Sequence, residues 1–268
     1  MKEELLAAAL PEERRLQIAA QLRRDARVRV EDLAQRFSVS GETIRRDLQV
    51  LEERGLLRRV YGGAVAQEDR AWESAIAERA VLRLDPKRAI AATAAALVEP
   101  ADTVILDLGT TVAETARALP ATFAGRALCC SVPVAAELTG REGVEVHLAG
   151  GQLRRADLAC TGASAERFLE HFFADCAFIA ATGIHPKAGI TSDRLDEIPL
   201  RQAILRQAAE TYVLADSAKL GHIAVGRVCV LSTVTAIITD SAADPAAVRM
   251  LEQAGARVLV APALTGPE

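Results

Sequence analysis

SGETIRRDLQVLEERGLLRRVYGGAV, residues 40–65, is the stretch on which the reading of this chain turns. Ile44, Leu48 and Leu51 recur at helical spacing, so at about 100° per residue they share one side of a helix. Glu42, Arg46 and Gln49 point the opposite way, with Thr43 and Arg45 on the flanks. Ser40 is placed to cap that helix, because its hydroxyl can accept a bond from a free backbone N–H. The helix is predicted to run to about Arg54 and stop at Gly55, which tolerates a left-handed terminal conformation. Gly55 to Val60 then reads as a strand with Arg58 and Arg59 exposed, and Tyr61 to Ala64 as a turn into a second strand.

Upstream, Glu31 to Phe37 places Leu33, Ala34 and Phe37 on one helical face, and Ser38-Val39-Ser40 is a tight connection to the next helix. Val28 to Val30 reads as extended. Glu12 to Leu22 reads as a further helix with Leu16, Ala19, Ala20 and Leu22 on one side. Helix, three-residue turn, helix is the helix-turn-helix pattern. With a β-hairpin after it, the pattern becomes a winged helix-turn-helix. Arg can grip guanine edges or phosphates and Gln can read adenine, while a hairpin lies along the phosphates. The predicted DNA-contacting set is Ser40, Glu42, Thr43, Arg45, Arg46, Gln49, Arg58, Arg59, Gly62 and Gly63. The plainer alternative is that Arg45 and Arg46 form a solvated face with Glu42, Asp47 and Glu52.

Charge supports the sharper reading. The chain has 268 residues and a net charge of −4. Residues 12–66 hold 12 Arg against 9 acids, a local +3, which leaves −6 on residues 67–268. A basic head on an acidic body is a footprint of a DNA-binding segment joined to another domain. Half of the residues are hydrophobic and a quarter charged, which excludes a disordered chain, a collagen and a coiled-coil rod. Aromatics are only 3%, so Ala, Leu, Val and Ile must fill the core. The N-terminus lacks the basic-then-apolar pattern of a secretory signal, and the most apolar stretch, Ala89 to Val98, is too short to span a bilayer. Cys129, Cys130, Cys160, Cys176 and Cys229 show no CxxC spacing. They are expected to be reduced, mostly buried thiols of a cytoplasmic protein, with no metal site.

The boundaries read from the sequence are 10–66 for the winged helix-turn-helix, 67–100 for a helical linker packing on the body, and 101–268 for the body. Gln67 to Asp69 is a polar break, and Ala71 to Val98 looks mainly helical, restarting at Pro86. From Asp102 onward apolar strands alternate with amphipathic helices. The strands are Thr103–Asp107, Ala127–Val132, Val144–Ala149, Ala177–Thr182, Tyr212–Ala215, Ala236–Thr239 and Arg257–Val260. The helices are Ala113–Leu119, one opening at Pro133, Ala163–Phe173, Leu195–Glu210 and Pro245–Ala254. This alternation predicts an α/β body, doubly wound around a mostly parallel sheet.

Ligands of such folds sit at the carboxyl ends of strands. Asp107-Leu-Gly109-Thr110-Thr111 joins a strand to a helix there, and its hydroxyls and free N–H groups would favour a phosphate. The alternative is a tight turn with Thr as cap. The loop has neither GxGxxG nor GxxxxGK[ST]. Asp216 and Lys219, in a segment after another strand, could bind a hydroxyl and a phosphate. Glu197 and Arg201 open a helix one turn apart, where the alternative is a surface i,i+4 ion pair. The four His residues show no metal spacing.

Thr43-Ile-Arg-Arg-Asp-Leu48, Leu51-Glu52, Gly55-Leu-Leu57, Arg59 and Gly62-Gly-Ala64 closely resemble the DNA-binding signature of the DeoR family of bacterial sugar-responsive transcription regulators. Tyr61 stands where family members usually carry His. The body resembles the family's effector domain in DLGTT, Ala149-Gly-Gly151, Phe178 to Ile184, the Asp196-Glu197 helix, Ala215 to Gly221 and Ile237 to Asp240. That domain is similar to ribose-5-phosphate isomerase. The resemblance implies an effector site made of Asp107, Gly109, Thr110, Thr111, Gly151, Gly183, Glu197, Arg201, Asp216 and Lys219. It also implies lost catalysis, because Thr182-Gly-Ile-His-Pro186 replaces the isomerase's acidic segment. Gly183-Ile-His185, Gly189-Ile-Thr191 and the LDEIPLRQA helix look most like the deoxyribonucleoside-responsive members, which implies deoxyribose 5-phosphate as effector. The expected partners are operator DNA, a phosphorylated sugar and a second copy of the chain, with no cofactor and no membrane. An active sugar-phosphate isomerase with a DNA-binding head, and a nucleotide-binding redox regulator, are the rival readings.

Overall fold

The computed structural model describes residues 11–25, 27–53, 57–60, 62–66 and 82–264, divided between two units, 1–75 and 76–268. The predicted helix stop at Gly55, the substitution at Tyr61, the break at 67–69 and the helical stretch 71–81 lie outside the described residues.

In the first unit the order is α1 (Pro11–Asp25), β1 (Arg27–Arg29), α2 (Val30–Phe37), α3 (Gly41–Glu53), β2 (Leu57–Val60) and β3 (Gly63–Ala66). Ile18, Leu22, Leu33, Phe37, Ile44, Leu48, Leu51 and Leu57 form one core, so the faces read from spacing on α2 and α3 are the buried ones. On α1, Ala19 and Leu22 are buried as read, together with Ile18, which the reading left out, while the side chains of Leu16 and Ala20 lie outside the described residues. Ser38 ends α2 in the left-handed conformation (φ 53°), and the N–H of Val39 donates to Ala34 O at 3.1 Å. Ser40 Oγ accepts the N–H of Thr43 at 3.1 Å, the expected cap of α3. The three strands make an antiparallel sheet in the order β1-β3-β2. A Cβ at Gly63 would lie 2.0 Å from Val28 O, so the closeness of β3 to β1 requires glycine there.

The second unit opens with α4 (Leu84–Ala95) and continues β4 (Thr103–Leu106), α5 (Thr110–Ala118), β5 (Arg126–Cys129), α6 (Val132–Ala136), β6 (Glu145–Leu148), β7 (Gln152–Arg154), β8 (Ala159–Thr161), α7 (Ala163–Leu169) and β9 (Ala174–Ala180). Then come β10 (Gly183–His185), β11 (Gly189–Ser192), α8 (Ile198–Gln207), β12 (Ala208–Leu214), β13 (Gly226–Cys229), β14 (Ala236–Asp240), α9 (Pro245–Gln253) and β15 (Val258–Ala261). Seven strands form a wholly parallel sheet in the order β15-β14-β12-β9-β4-β5-β6. Alternate residues serve its two faces. Val104, Leu106, Phe178 and Leu214 pack with Ile90 of α4, Val112 of α5 and Val134 of α6. Ile105, Ala177, Ile179 and Val213 pack with Leu169 of α7, Ile204 of α8 and Leu251 of α9. Burial on both faces is why these strands read as continuous apolar runs.

Two readings are corrected. The predicted helix Leu195–Glu210 is a 3-10 turn at Leu195–Glu197 followed by α8, and Ala208 to Glu210 already belong to β12. Parallel pairing of Ala208 with Ala174 takes these residues into the sheet and overrides their helical propensity. The helix predicted to reach Phe173 ends at Leu169. Two small antiparallel sheets, β7-β8 and β10-β11-β13, were not expected.

The strand order sets the site. The chain leaves β4 towards β5 and β6, then returns to place β9 on the other side of β4. That reversal opens a crevice at the carboxyl ends of β4 and β9, where ligands of open parallel sheets bind.

Candidate functional site

On α3 the polar side faces outward as read. Arg45 and Arg46 are 63% and 79% exposed, and both lean on Glu42, at 3.3 and 3.8 Å. Glu42 and Gln49 are exposed, and Thr43 is half-buried. A groove of about 590 Å³ runs between the helices and the hairpin, lined by Val30, Glu31, Arg45, Leu48, Arg59, Val60, Gly62 and Gly63. Thus Arg45, Arg59, Gly62 and Gly63 of the predicted set meet in one concavity. The side chain of Arg58 lies outside the described residues.

Two acids of α3 are placed differently from the plain surface reading. Asp47 is buried, and its two oxygens accept from Arg14 Nε at 2.6 Å and Arg15 Nε at 2.9 Å on α1. Glu52 accepts the backbone N–H of Arg59 at 2.8 Å and its Nε at 2.7 Å, fastening β2 to α3. The Arg59 N–H, then its guanidinium, hold the Glu52 carboxyl below its usual range. Sequence spacing cannot show this pairing, because Asp47 and Glu52 are read beside Arg45 and Arg46 until the tertiary contacts are known.

In the second unit a cavity of about 340 Å³ occupies the β4–β9 crevice. Of the predicted effector residues, Gly109, Thr110, Thr111, Glu197, Arg201, Asp216 and Lys219 line it. Gly109 is the N-cap of α5 and offers no side-chain cap, so the first-turn N–H groups of α5 are directed at the cavity end of the helix. Lys219, half-buried, donates from Nζ to Ala181 O at 2.8 Å. Burial lowers its pKa, and nearby Asp216 opposes that shift.

Asp107 sits behind the cavity wall. It is fully buried, and its Oδ2 accepts Arg201 Nε at 2.8 Å and the Ala180 N–H at 3.0 Å. Arg201 Nη1 also lies 2.8 Å from Glu197 Oε2, so Glu197 and Arg201 form a buried pair and not the surface pair weighed above. Arg154 of β7 extends the chain, reaching Glu197 Oε1 at 2.6 Å, Asp157 at 2.7 Å and Asp196 at 2.7 Å. Burial alone would lower the pKa of Arg201, but Asp107 and Glu197 outweigh it and the net shift is upward. This network ties β4, β7 and α8 together beneath the cavity.

Gly151 and Gly183 do not line the cavity. Gly151 precedes β7 with φ 107°. At Gly183, opening β10, a Cβ would lie 2.5 Å from His222 O. Both are required by backbone packing. Sequence reasoning missed Leu82, Arg83, Lys87, Asp157, Thr182, Asp193 and Arg194, which line the cavity with the apolar Leu108, Ala180 and Ala181. The charged run Arg83-Leu-Asp-Pro-Lys-Arg88 at the start of α4 was the available signal for two of them. All five cysteines are free, and burial pushes the Cys129 thiol up to about 12, which leaves it inert at neutral pH. Among the described residues no helix is long and apolar enough to cross a membrane.

Residues 14–70 match the family described as the DeoR-like helix-turn-helix domain, and residues 82–241 match the DeoR C terminal sensor domain. The HTH-type transcriptional regulator GlpR of Haloferax volcanii is 34% identical over 93% of this chain and 98% of its own. The transcriptional repressor AccR of Agrobacterium fabrum is 31% identical over 86% and 90%. The HTH-type transcriptional repressor GlcR of Bacillus subtilis is 30% identical over 93% and 96%. Among solved structures, ribose 5-phosphate isomerase A of Methanocaldococcus jannaschii aligns with 50% of this chain and 52% of its own at 17% identity. The TM-score of that alignment is 0.37.

Proposed function

The chain belongs to the DeoR family of DNA-binding transcription regulators, and we propose that it represses sugar or nucleoside catabolism genes through an operator whose binding a phosphorylated sugar modulates. The observation that carries the effector half is the cavity at the β4–β9 crevice. It joins the uncapped N-terminus of α5, the Thr110 and Thr111 hydroxyls and the Lys219 ammonium. Those groups together suit a phosphate dianion. The carboxylates of Asp157, Asp193 and Glu197 on the same cavity are acceptors suited to sugar hydroxyls. Deoxyribose 5-phosphate is the proposed ligand, on the likeness of residues 183–203 to the deoxyribonucleoside-responsive members.

In the DNA-binding half, α3 enters the major groove with Thr43, Arg45, Arg46 and Gln49 towards the bases. Ser40, Arg58, Arg59, Gly62 and Gly63 set its edge and the hairpin against phosphates, and Glu42 holds Arg45 and Arg46 beside them. A helix-turn-helix reader works as a dimer on paired half-sites, so the protein self-associates, and it acts in the cytoplasm. The coupling between the two halves is as large as the effector's differential affinity for the two operator-binding states. The chemistry is binding without turnover. Glu197 and Asp157 are held by arginines, and Thr182 to Pro186 carry no acid.

Fluorescence anisotropy tests this reading. The probe is labelled DNA from upstream of the protein's own gene, at fixed salt because affinity falls steeply with ionic strength. Titration with deoxyribose 5-phosphate, ribose 5-phosphate and other phosphosugars should shift operator affinity for one of them. Tight DNA binding that none of them alters would remove the effector assignment. Thr110→Asp should abolish the response by like-charge repulsion while DNA binding survives. Conversion of ribose 5-phosphate to a ketose at enzyme-like rates would establish the isomerase reading instead.

A further inference from the structure

Three cavity residues, Leu82 and Arg83 just before α4 and Lys87 in its first turn, come from the head of that helix, and every other lining residue lies at position 108 or beyond. In chain order, residues 82–87 are the first described part of the second unit, following the segment that leads from β3 of the DNA-binding unit.

Arg83 is unusual in its backbone. Its φ of 55° and ψ of 44° are left-handed, a conformation that a residue with a long side chain adopts only when its surroundings enforce it. As the N-cap of α4 it makes no side-chain cap bond, so capping does not account for it. What this conformation achieves is placement of the guanidinium at the cavity, where Nη1 lies 3.7 Å from Asp216 Oδ1. That distance is beyond hydrogen bonding. Asp216 Oδ1 is already engaged, accepting the Ala218 N–H at 3.1 Å. Among the described residues the Arg83 guanidinium has no hydrogen-bond acceptor, and its side chain is 47% exposed. Arg201 and Arg154, by contrast, are saturated with carboxylates. The cavity therefore holds two arginines whose donors are loosely held, Arg83 and Arg194, the latter with Nε 3.8 Å from Glu197 Oε1; of the two, Arg83 lies on the stretch of chain nearest in sequence to the DNA-binding unit.

We propose that Arg83 is the residue that converts cavity occupancy into an altered operator affinity. An anionic ligand at the start of α5 takes the guanidinium from Asp216 into charge-assisted hydrogen bonds. This fixes the left-handed turn at residue 83 and with it the position of Leu82 at the head of α4. The inference rests on the sugar-phosphate reading given above, and its test separates the two.

The full chain and two variants, Arg83→Gln and Arg83→Lys, are titrated with deoxyribose 5-phosphate, ribose 5-phosphate and inorganic phosphate by calorimetry. Operator anisotropy is then measured without ligand and at saturation. Loss of charge-assisted hydrogen bonds should weaken phosphosugar affinity of Arg83→Gln about 10- to 100-fold. At saturating ligand the shift in operator affinity, measured against the variant's own ligand-free affinity, should fall below half that of the parent chain. Arg83→Lys should recover affinity in part and the operator response less, since an ammonium cannot reproduce the fork. Unchanged affinity and response in Arg83→Gln would overturn the inference and leave the cavity reading standing. Weakened affinity with a full response at saturation would make Arg83 a ligand contact only, which also overturns it. Absence of phosphosugar binding by the parent chain would remove both readings.

Discussion

On α3, Arg45 and Arg46 stand in solvent and lean on one exposed glutamate at 3.3 and 3.8 Å. Beneath the cavity of the second unit, Arg201 is 3% exposed and held at 2.8 Å by both Asp107 and Glu197. The side chain is the same and the physics differs. At the surface, water and salt screen the pair, so the guanidinium can exchange Glu42 for a phosphate or a base edge at little cost. In the interior the charges are desolvated, and removing one partner strands the others. Exposed arginines are free to recognise, and buried ones hold the scaffold that recognition needs. Asp47 with Arg14 and Arg15 shows that the first unit contains both kinds, since the helix presenting Arg46 is anchored through the adjacent Asp47, about 100° round the helix, to two arginines of α1.

The largest effect that would break this contrast comes from Arg201→Met. It leaves Asp107 and Glu197 buried without their cation and should cost the second unit about 3–5 kcal/mol, read from urea unfolding. A loss under 1 kcal/mol would place Arg201 with the surface pairs. Next is Asp47→Ala, which strips Arg14 and Arg15 of a buried acceptor. It should destabilise the first unit by about 2 kcal/mol and weaken operator binding through loss of helix position. Normal stability with lost DNA binding would instead make Asp47 a contact residue. Arg46→Ala should leave unfolding unchanged and lower operator affinity by about 1–3 kcal/mol if it reads a base. If Arg46 meets a phosphate, the salt dependence should fall by about one unit of slope. Equal affinity to the parent chain would take Arg46 out of the interface.

The smallest effect concerns Glu52. Its folded carboxyl is held below the usual range, so the stabilisation is present above that range and lost as pH falls through the lowered value. The difference in urea midpoint between the parent chain and Glu52→Gln should therefore narrow below pH 4.5, the ordinary glutamate value. Solvent screening keeps it small. A difference independent of pH would show that the Arg59 clamp contributes nothing through charge.

What the sequence makes legible follows from how local each signal is. Ile44, Leu48 and Leu51 fall on the buried face because a helix converts spacing directly into direction. Gly109 to Thr111 were found because a strand-to-helix loop carries its chemistry within a few residues. Asp157, Thr182, Asp193 and Arg194 were not, because hairpins and strand ends far apart in the sequence bring them to the crevice. Gly183-Ile-His185 and Gly189-Ile-Thr-Ser192 are too short to declare themselves as strands until they pair with each other. Asp107 was assigned to the effector by its place in the loop, yet it contacts Arg201 across 94 positions of chain. No periodicity encodes a pairing over that distance.

The pairing of β4 with β9 also sets an order of events during synthesis. The antiparallel sheet of the first unit is complete in sequence at Ala66, whereas Ile105 waits for its parallel partner Ala177. At about 5–20 residues per second, the chain between Ile105 and Ala177 takes roughly 4–14 s to emerge. Throughout that interval a finished DNA-binding unit is tethered to a nascent sheet in which β4, an inner strand of the final order, is still an unpaired edge. Parallel sheets are slow to close because distant segments must meet before contact rewards them. During synthesis, the second unit therefore holds an open strand edge for longer than the first, and that edge is where wrong pairing is favoured.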